Sequence, residues 1–135
     1  MSYPLWSDRA GRVEVRFVGR GEEQTREATL QEVEADAPPV AALKQVHSAR
    51  VVRVDGPGFA GEGDALVTAR PGLALSVITA DCVPALISIG DTIAAVHAGW
   101  RGVVAGVVPA AVDALRKVAG ASANEEPPVA WIGPW

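Results

Sequence analysis

The single cysteine of the chain, Cys82, and its two histidines, His47 and His97, are the residues with the most versatile chemistry. One thiolate and two neutral imidazoles form a ligand set of catalytic zinc sites, in which a fourth position is left for water. The three residues lie 35 and 15 positions apart. These spacings fit no zinc-finger pattern and favour ligands that the fold brings together. The alternative is that each is an ordinary buried core residue.

A predicted β-hairpin brings Cys82 and His97 to the same place. Two short runs rich in β-branched residues flank Gly90-Asp91, which is the pattern of strands joined by a two-residue turn. In that register Cys82 lies opposite Gly99, and His97 lies opposite Pro84. Because side chains alternate along a strand, thiol and imidazole then share one face at the open end of the hairpin. A slip of one residue would place them on opposite faces.

The first 40 residues are predicted to contain one strand and one short helix. Residues 1–11 have no regular pattern, and Trp6 is interpreted as a cap over the core. Residues 12–18 alternate polar and apolar, which predicts a half-exposed strand with its apolar side chains inward. Thr29 and Glu32 fit a capping box, so a helix is predicted from residue 30 to about residue 36, before Pro38-Pro39.

Short apolar strands follow one another from residue 40 to residue 97. Besides the hairpin, the predicted strands are residues 40–46, 51–54, 64–68 and 73–78. The glycine-rich segment 55–63 is predicted to be a loop without regular pairing. It lacks the Gly-Lys-Ser/Thr ending of a P-loop, which argues against a phosphate-binding role.

The hydrophobic period changes from two to about 3.6 after Gly102, which predicts a helix over residues 103–119 that ends at Gly120. Pro109 fits if the helix begins near Gly106 and otherwise predicts a kink. Residues 129–132 are predicted to form a further strand. The predicted core-facing positions of the helix are Val104, Val108, Ala111, Val112, Leu115, Val118 and Ala119.

Length and composition exclude several classes of protein. A chain of 135 residues fits one domain with an aliphatic core. The net charge of −4 and the absence of a basic face argue against a nucleic-acid partner. No apolar run is long enough for a membrane span, and no signal peptide is recognisable. One cysteine excludes an internal disulfide and is compatible with a reducing compartment, so a cytoplasmic location is predicted.

Five motifs, read in order along residues 41–135, resemble those of the laccase-domain family. Members were first labelled multicopper polyphenol oxidases and are now regarded as purine nucleoside phosphorylases with adenosine deaminase activity. The resemblance implies a mixed α+β fold: a mostly antiparallel sheet with a hairpin and packed helices, as an incomplete version of the family's layered α/β sandwich. The motifs are Lys44-Gln45-Val46-His47, Asp64-Ala65-Leu66-Val67-Thr68, Thr79-Ala80-Asp81-Cys82-Val83-Pro84, His97-Ala98-Gly99-Trp100-Arg101-Gly102 and Ile132-Gly133-Pro134.

The same resemblance implies a set of site residues. His47, Cys82 and His97 take the positions of the family's zinc ligands. Asp81 and Asp64 are the candidates for moving protons or for orienting a ligand. Deamination would use a water activated by zinc, whose pKa falls from about 15.7 toward roughly 7.

Phosphorolysis needs an anion site in addition. Arg101, just before the predicted helix, is interpreted either as a phosphate ligand or as a surface ion-pair residue. Trp100 either stacks on a purine or caps the end of the sheet, and Gln45 is a third substrate-binding candidate. The implied partners are a purine nucleoside and phosphate.

Copper is a possible metal only as a single ion. A multicopper oxidase needs a blue-copper site and a trinuclear cluster, which together require far more than two histidines. The laccase label therefore does not describe the chemistry expected of this chain.

Two further interpretations remain open. Cys82 could be a nucleophile activated by His97. The chain could also be a non-catalytic metal-binding or oligomerisation module, because the family continues well beyond Ile-Gly-Pro, and an incomplete sheet would need a second subunit to cover it. Ser48 stands where the family usually has glycine, which would matter if that residue required a positive φ angle.

Overall fold

Ten strands and three helices form the part of the chain that the computed structural model describes, residues 3–21, 23–35, 37–121 and 125–134. The predicted mixed α+β class is confirmed. The helices are α1 (Arg26–Ala35), α2 (Trp100–Ala105) and α3 (Val107–Ala119). The strands are β1 (Tyr3–Ala10), β2 (Val13–Gly19), β3 (Val40–Lys44), β4 (Val51–Arg53), β5 (Gly58–Glu62), β6 (Ala65–Thr68), β7 (Ala74–Leu75), β8 (Val83–Ile89), β9 (Thr92–Ala98) and β10 (Val129–Ile132).

The largest sheet has five strands in the order β10-β8-β9-β6-β4. Its neighbours are antiparallel except for β4, which runs parallel to β6. The predicted hairpin is β8 and β9, with Pro84 opposite His97 as expected. Gly90 takes a φ of 57° in the turn, a left-handed conformation that glycine adopts without steric cost.

A second sheet, β5-β3-β7, is entirely parallel and was not predicted. The segment expected to be an unpaired loop contains β5, whose residues are all exposed on the edge of this sheet. An exposed glycine-rich edge strand carries no apolar alternation, so its pairing could not be found in the sequence. The predicted strand 73–78 is shorter than expected, because only Ala74–Leu75 pairs with β3.

The N-terminal segment is a hairpin rather than an irregular stretch. β1 pairs antiparallel with β2, so the expectation for residues 1–11 was wrong over Tyr3–Ala10. The reason is that β1 is largely exposed, which leaves little hydrophobic pattern to read. The inward residues of β2 were predicted correctly: Val13, Val15 and Phe17 form a small core with Trp131 of β10. Trp6 covers this core from outside, with its ring centroid 5.9 Å from that of Phe17.

Helix α1 begins earlier than the capping box suggested. Thr25, not Thr29, is the capping residue, because its Oγ1 accepts a hydrogen bond from the Ala28 N–H at 3.1 Å. The Thr29 hydroxyl instead donates to the Thr25 carbonyl. No described residue of α1 is buried. The helix therefore has only a weak hydrophobic pattern, from which its first residue could not be predicted.

The predicted helix 103–119 is two helices that meet at Gly106. Gly106 has φ 89° and ψ 32°, which ends α2 and precedes α3. Pro109 is therefore in the first turn of α3, where it removes no intrahelical hydrogen bond. The break also changes the inward face, because Val107 is fully buried and Val104 is 81% exposed. Within the described residues, no helix is long and apolar enough to cross a membrane.

Helix α3 and the second sheet pack on opposite faces of the central strands. Val107, Ala111 and Leu115 of α3 pack with buried residues of β6, β8 and β9. On the other side, Ala41, Leu43 and Leu73 form a second core with Leu66 and Ala95. The central strands are therefore buried between helix α3 and the second sheet.

Candidate metal centre

His47, Cys82 and His97 converge in space. One potential ligand atom from each lies within 4.8 Å of the other two. The two imidazole rings have centroids 4.9 Å apart and meet edge to face at 70°. His97 is next to last in β9, Cys82 directly precedes β8, and His47 follows β3. The hairpin therefore brings together two of the three residues, and the segment after β3 contributes the third.

The three side chains differ in their exposure. His97 is buried, Cys82 is half-buried and His47 is exposed. Tetrahedral zinc ligands lie about 3.3–3.8 Å apart for bonds of about 2.0–2.3 Å, so small side-chain rotations would close this set around an ion. A thiolate with two imidazoles suits zinc or copper(I). The donor set therefore fits a metal, with the open side toward solvent.

Gly99, which has no side chain, leaves room for the side chains of His47 and Cys82 to lie close together. A Cβ atom on this residue would lie 2.9 Å from Nδ1 of His47 and 3.0 Å from Sγ of Cys82. Its φ of −79° is one that any residue adopts, so the glycine is required for space rather than for conformation. Sequence reasoning placed Gly99 opposite Cys82 without recognising this role.

Asp64 is fully buried beneath the site and accepts five hydrogen bonds. Its Oδ2 accepts from the His97 ring Nδ1 at 2.7 Å and from the His47 backbone N–H at 3.0 Å. Its Oδ1 accepts from the Val46 N–H at 3.2 Å, and from both the Ser48 N–H and the Ser48 hydroxyl at 2.7 Å. Of the two roles considered for Asp64, this geometry favours orientation of a ligand, because its lone pairs are occupied.

These hydrogen bonds keep Asp64 ionised. Burial raises the pKa of the carboxyl group, but the hydrogen bonds from His97, Ser48 and Val46 outweigh burial and lower the pKa from 3.8 to about 2. A buried carboxylate with this many donors is a fixed negative charge at neutral pH. It is suited to hold an imidazole N–H in one direction.

The positive φ angle in this region belongs to His47, not to Ser48. His47 has φ 62°, and it alone among the described non-glycine residues takes a positive value. Serine therefore replaces the family's usual glycine without conformational cost. The position that a Cβ on Gly102 would occupy lies 3.1 Å from the Ser48 carbonyl oxygen, so α2 packs closely against the His47 segment.

Gln45 is bound to the chain that leads to Cys82. Its Nε2 donates to the Ile78 carbonyl at 2.6 Å, and its Oε1 accepts from the Ile78 N–H at 2.9 Å. This pair of bonds ties the segment after β3 to the segment before β8. Gln45 therefore supports the site, and its predicted contact with substrate stays a prediction.

Asp81, Trp100 and Arg101 are exposed near the open end of the hairpin. The Arg101 guanidinium carbon lies 5.2 Å from the centroid of the Trp100 ring. Arg101 was expected to lie just before a long helix. It is instead the second residue of the six-residue α2. Arg101 therefore remains a candidate phosphate ligand through the charge of its own guanidinium group.

Comparison with known proteins places this geometry in a family. A model described as "Multi-copper polyphenol oxidoreductase laccase" matches residues 22–135. The chain belongs to this family. The match includes α1, so it begins earlier than the motifs at 41–135 indicated, while the β1–β2 hairpin precedes it.

Curated relatives in this family carry the name purine nucleoside phosphorylase. One from Streptomyces coelicolor is 46% identical over 98 residues, which cover 69% of this chain and 40% of the relative. One from Escherichia coli is 39% identical over 95 residues, covering 68% of this chain and 37% of the relative. The chain thus matches about two fifths of the length of these relatives.

Solved structures share the fold. A Neisseria meningitidis protein is 32% identical with a TM-score of 0.64, and the match covers 86% of this chain and 48% of that one. The YlmD protein of Geobacillus stearothermophilus has a TM-score of 0.67 at 24% identity, covering 86% and 49%. The matched region is about half of each of these two structures.

The Ile132-Gly133-Pro134 motif is explained by packing. A Cβ on Gly133 would collide with the Phe17 ring and lie 2.7 Å from Cγ of Pro84. The Gly133 N–H also donates to the Pro84 carbonyl at 2.9 Å. The glycine therefore lets the N-terminal hairpin approach the strand that follows Cys82.

Proposed function

We propose that the chain is the metal-binding part of a zinc-dependent purine nucleoside enzyme that acts on adenosine or inosine by phosphorolysis, by hydrolytic deamination, or by both. The observation that carries this proposal is the convergence of His47, Cys82 and His97 over Gly99. The names of the curated relatives support the substrate class. Zinc is favoured over copper by one thiolate with two imidazoles and an open fourth position.

In this proposal each residue has one role. His47, Cys82 and His97 hold zinc, which supplies Lewis acidity for activating water or polarising the substrate. Asp64 orients His97. Asp81, exposed beside Cys82, moves protons between solvent and substrate.

The substrate would meet the exposed face of the site. Trp100 offers a ring on which a purine can stack, and it is 73% exposed. The Arg101 guanidinium, next to that ring, would bind phosphate through charge-assisted hydrogen bonds. Gln45 lies two residues before His47 and would contact the base with its remaining amide hydrogen.

Metal content and product analysis test the proposal together. We expect one zinc per chain in purified protein and loss of zinc in Cys82→Ala. Incubation of the zinc-loaded protein with adenosine and phosphate is expected to give adenine or inosine, with no product from His97→Ala. Chromatography of the products separates phosphorolysis from deamination. A metal-free protein whose Cys82 reacts rapidly with iodoacetamide would instead support the cysteine nucleophile.

The second candidate is a non-catalytic metal-binding or oligomerisation module. The convergence of His47, Cys82 and His97 supports metal binding whether or not the site turns over a substrate. Zinc binding without turnover of adenosine or inosine would select this candidate. Under either candidate, we propose a cytoplasmic location, where a single half-buried thiol stays reduced and available to a metal.

A further inference from the structure

We propose that Asp64 and the Ser48 hydroxyl are positioning residues that hold both histidines ready for the metal. The inference rests on the proposed function only in taking His47, Cys82 and His97 as ligands. One oxygen of Asp64, Oδ2, binds the His47 backbone at 3.0 Å and the His97 ring at 2.7 Å. A single buried atom therefore fixes two ligands that come from different elements.

Asp64 determines which nitrogen of His97 faces the site. An ionised carboxylate only accepts hydrogen bonds, so the hydrogen of the neutral ring lies on Nδ1. The lone pair is then on Nε2, the nitrogen left for a metal. The His97 backbone N–H also donates to the Asp64 carbonyl at 2.7 Å, so Asp64 fixes both the main chain and the ring of this ligand.

Asp64 also holds His47 in an unfavourable backbone conformation. A φ of 62° costs a non-glycine residue free energy and persists only where its surroundings enforce it. Here the N–H groups of Val46, His47 and Ser48 all point at the same carboxylate. The segment is wrapped around Asp64, and this presents the His47 ring to Cys82 and His97.

The Ser48 hydroxyl adds a contact that a glycine at this position could not make. Its Oγ donates to Oδ1 of Asp64 at 2.7 Å and accepts from the Arg50 N–H at 3.2 Å. Because the lone pair is engaged by Arg50, the hydroxyl hydrogen is directed at the carboxylate. Ser48 therefore restrains the rotation of Asp64 and, through Asp64, the ring of His97.

Asp64→Asn provides the decisive test, because it keeps the shape of the side chain, reverses the hydrogen bond to the His97 ring and removes the one from the His47 N–H. The Oδ1 side meets three donors, so the amide oxygen takes that side and the amide nitrogen faces His97. The His97 Nδ1 must then accept, which moves the ring hydrogen to Nε2. We expect nitrogen NMR of the metal-free protein at pH 8 to show this change of tautomer.

Zinc affinity is the second measurement, made by competition with a chromophoric chelator. We expect affinity to fall about 100-fold in Asp64→Asn and about tenfold in Ser48→Ala. The matched control is Ser88→Ala, a buried serine in β8 that faces Ile93 and is remote from the ligands. It should retain the wild-type affinity within about twofold.

The outcomes are distinguishable. If Asp64→Asn keeps the Nδ1–H tautomer of His97, or if neither variant weakens zinc binding more than Ser88→Ala, the positioning role is wrong. If the wild type binds no zinc, the proposed function fails, while the tautomer measurement in the metal-free protein still decides the role of Asp64. If Asp64→Asn does not fold, the zinc affinity of Ser48→Ala compared with that of Ser88→Ala decides the positioning role.

Discussion

At the scale of single residues, space decides as much as chemistry. The ligand types were evident from the sequence, but Gly99 is what allows the side chains of His47 and Cys82 to approach each other. Its backbone conformation is open to alanine, so the position offers a clean steric probe.

Gly99→Ala should weaken metal binding without unfolding the protein. The added Cβ would fill the space 2.9–3.0 Å from a ligand atom of each neighbour. We expect zinc affinity to fall on the order of 100-fold, measured by chelator competition. Gly56→Ala is the matched control, because the added atom meets only Arg70 at 3.7 Å. Equal affinities in the two variants would contradict a metal held over Gly99.

The Asp64 carboxylate should make stability depend on pH in the metal-free protein. Its pKa is about 2 when folded and about 3.9 in an unfolded chain, so folding is stabilised above pH 4 by about 2–3 kcal/mol. That contribution is lost as the pH falls from about 4 toward 2. Urea unfolding should therefore give a higher free energy of unfolding for the wild type than for Asp64→Asn at pH 6, and this difference should narrow below pH 4. A difference that stays constant with pH would mean that the Asp64 carboxylate is not the source of the pH dependence.

At the scale of elements, the sequence predicted the parts that have a strong period. The β8–β9 register followed from Gly90-Asp91 and brought Cys82 and His97 together correctly. The third ligand and Asp64 could not be placed in this way. Strand β3 pairs in parallel with β5 and β7, and β4 pairs in parallel with β6. The segment that follows β3 meets Asp64 through hydrogen bonds across 16 to 18 positions of sequence. Such pairings leave no local pattern in the sequence, so the hydrogen bonds that converge on Asp64 were visible only in the structure.

The break at Gly106 changes which residues of the helical region stabilise the fold. Leu115 is fully buried in the main core, whereas Val104 is 81% exposed. Leu115→Ala should lower the free energy of unfolding by about 2–5 kcal/mol, and Val104→Ala should change it by less than about 0.5 kcal/mol. Urea titration measures both. Similar losses in the two variants would favour the single continuous helix that the sequence suggested.

At the scale of the whole molecule, one helix is too narrow for the sheet on which it packs. A helix is about 10 Å wide and neighbouring strands lie about 4.8 Å apart, so α3 covers roughly half of five strands. The β8 and β10 side is left with an apolar groove of about 350 Å³. Val103, Val112 and Ile132 are among its lining residues.

We expect this groove to cause self-association of the chain. Ile132 is 62% exposed there, and burial of such a face is favourable at roughly 25 cal/mol per Å². Light scattering coupled to size exclusion should give a mass above that of one chain, and Ile132→Lys should shift it toward the monomer. Val104→Lys, on an exposed position outside the groove, is the control. A soluble wild-type monomer at all concentrations tested would contradict the expectation.

The N-terminal hairpin has a consequence for biosynthesis. β1 and β2 dock on Trp131 and Gly133, and the Trp131 indole donates to Asp8 at 2.9 Å across 123 positions of sequence. An isolated two-stranded hairpin is marginally stable in water. The hairpin therefore leaves the ribosome before the rest of the fold but acquires its partner only after β10 has been made. Val13, Val15 and Phe17 lack the Trp131 side of their core until then, so the nascent chain exposes apolar side chains of β2 that the folded chain buries.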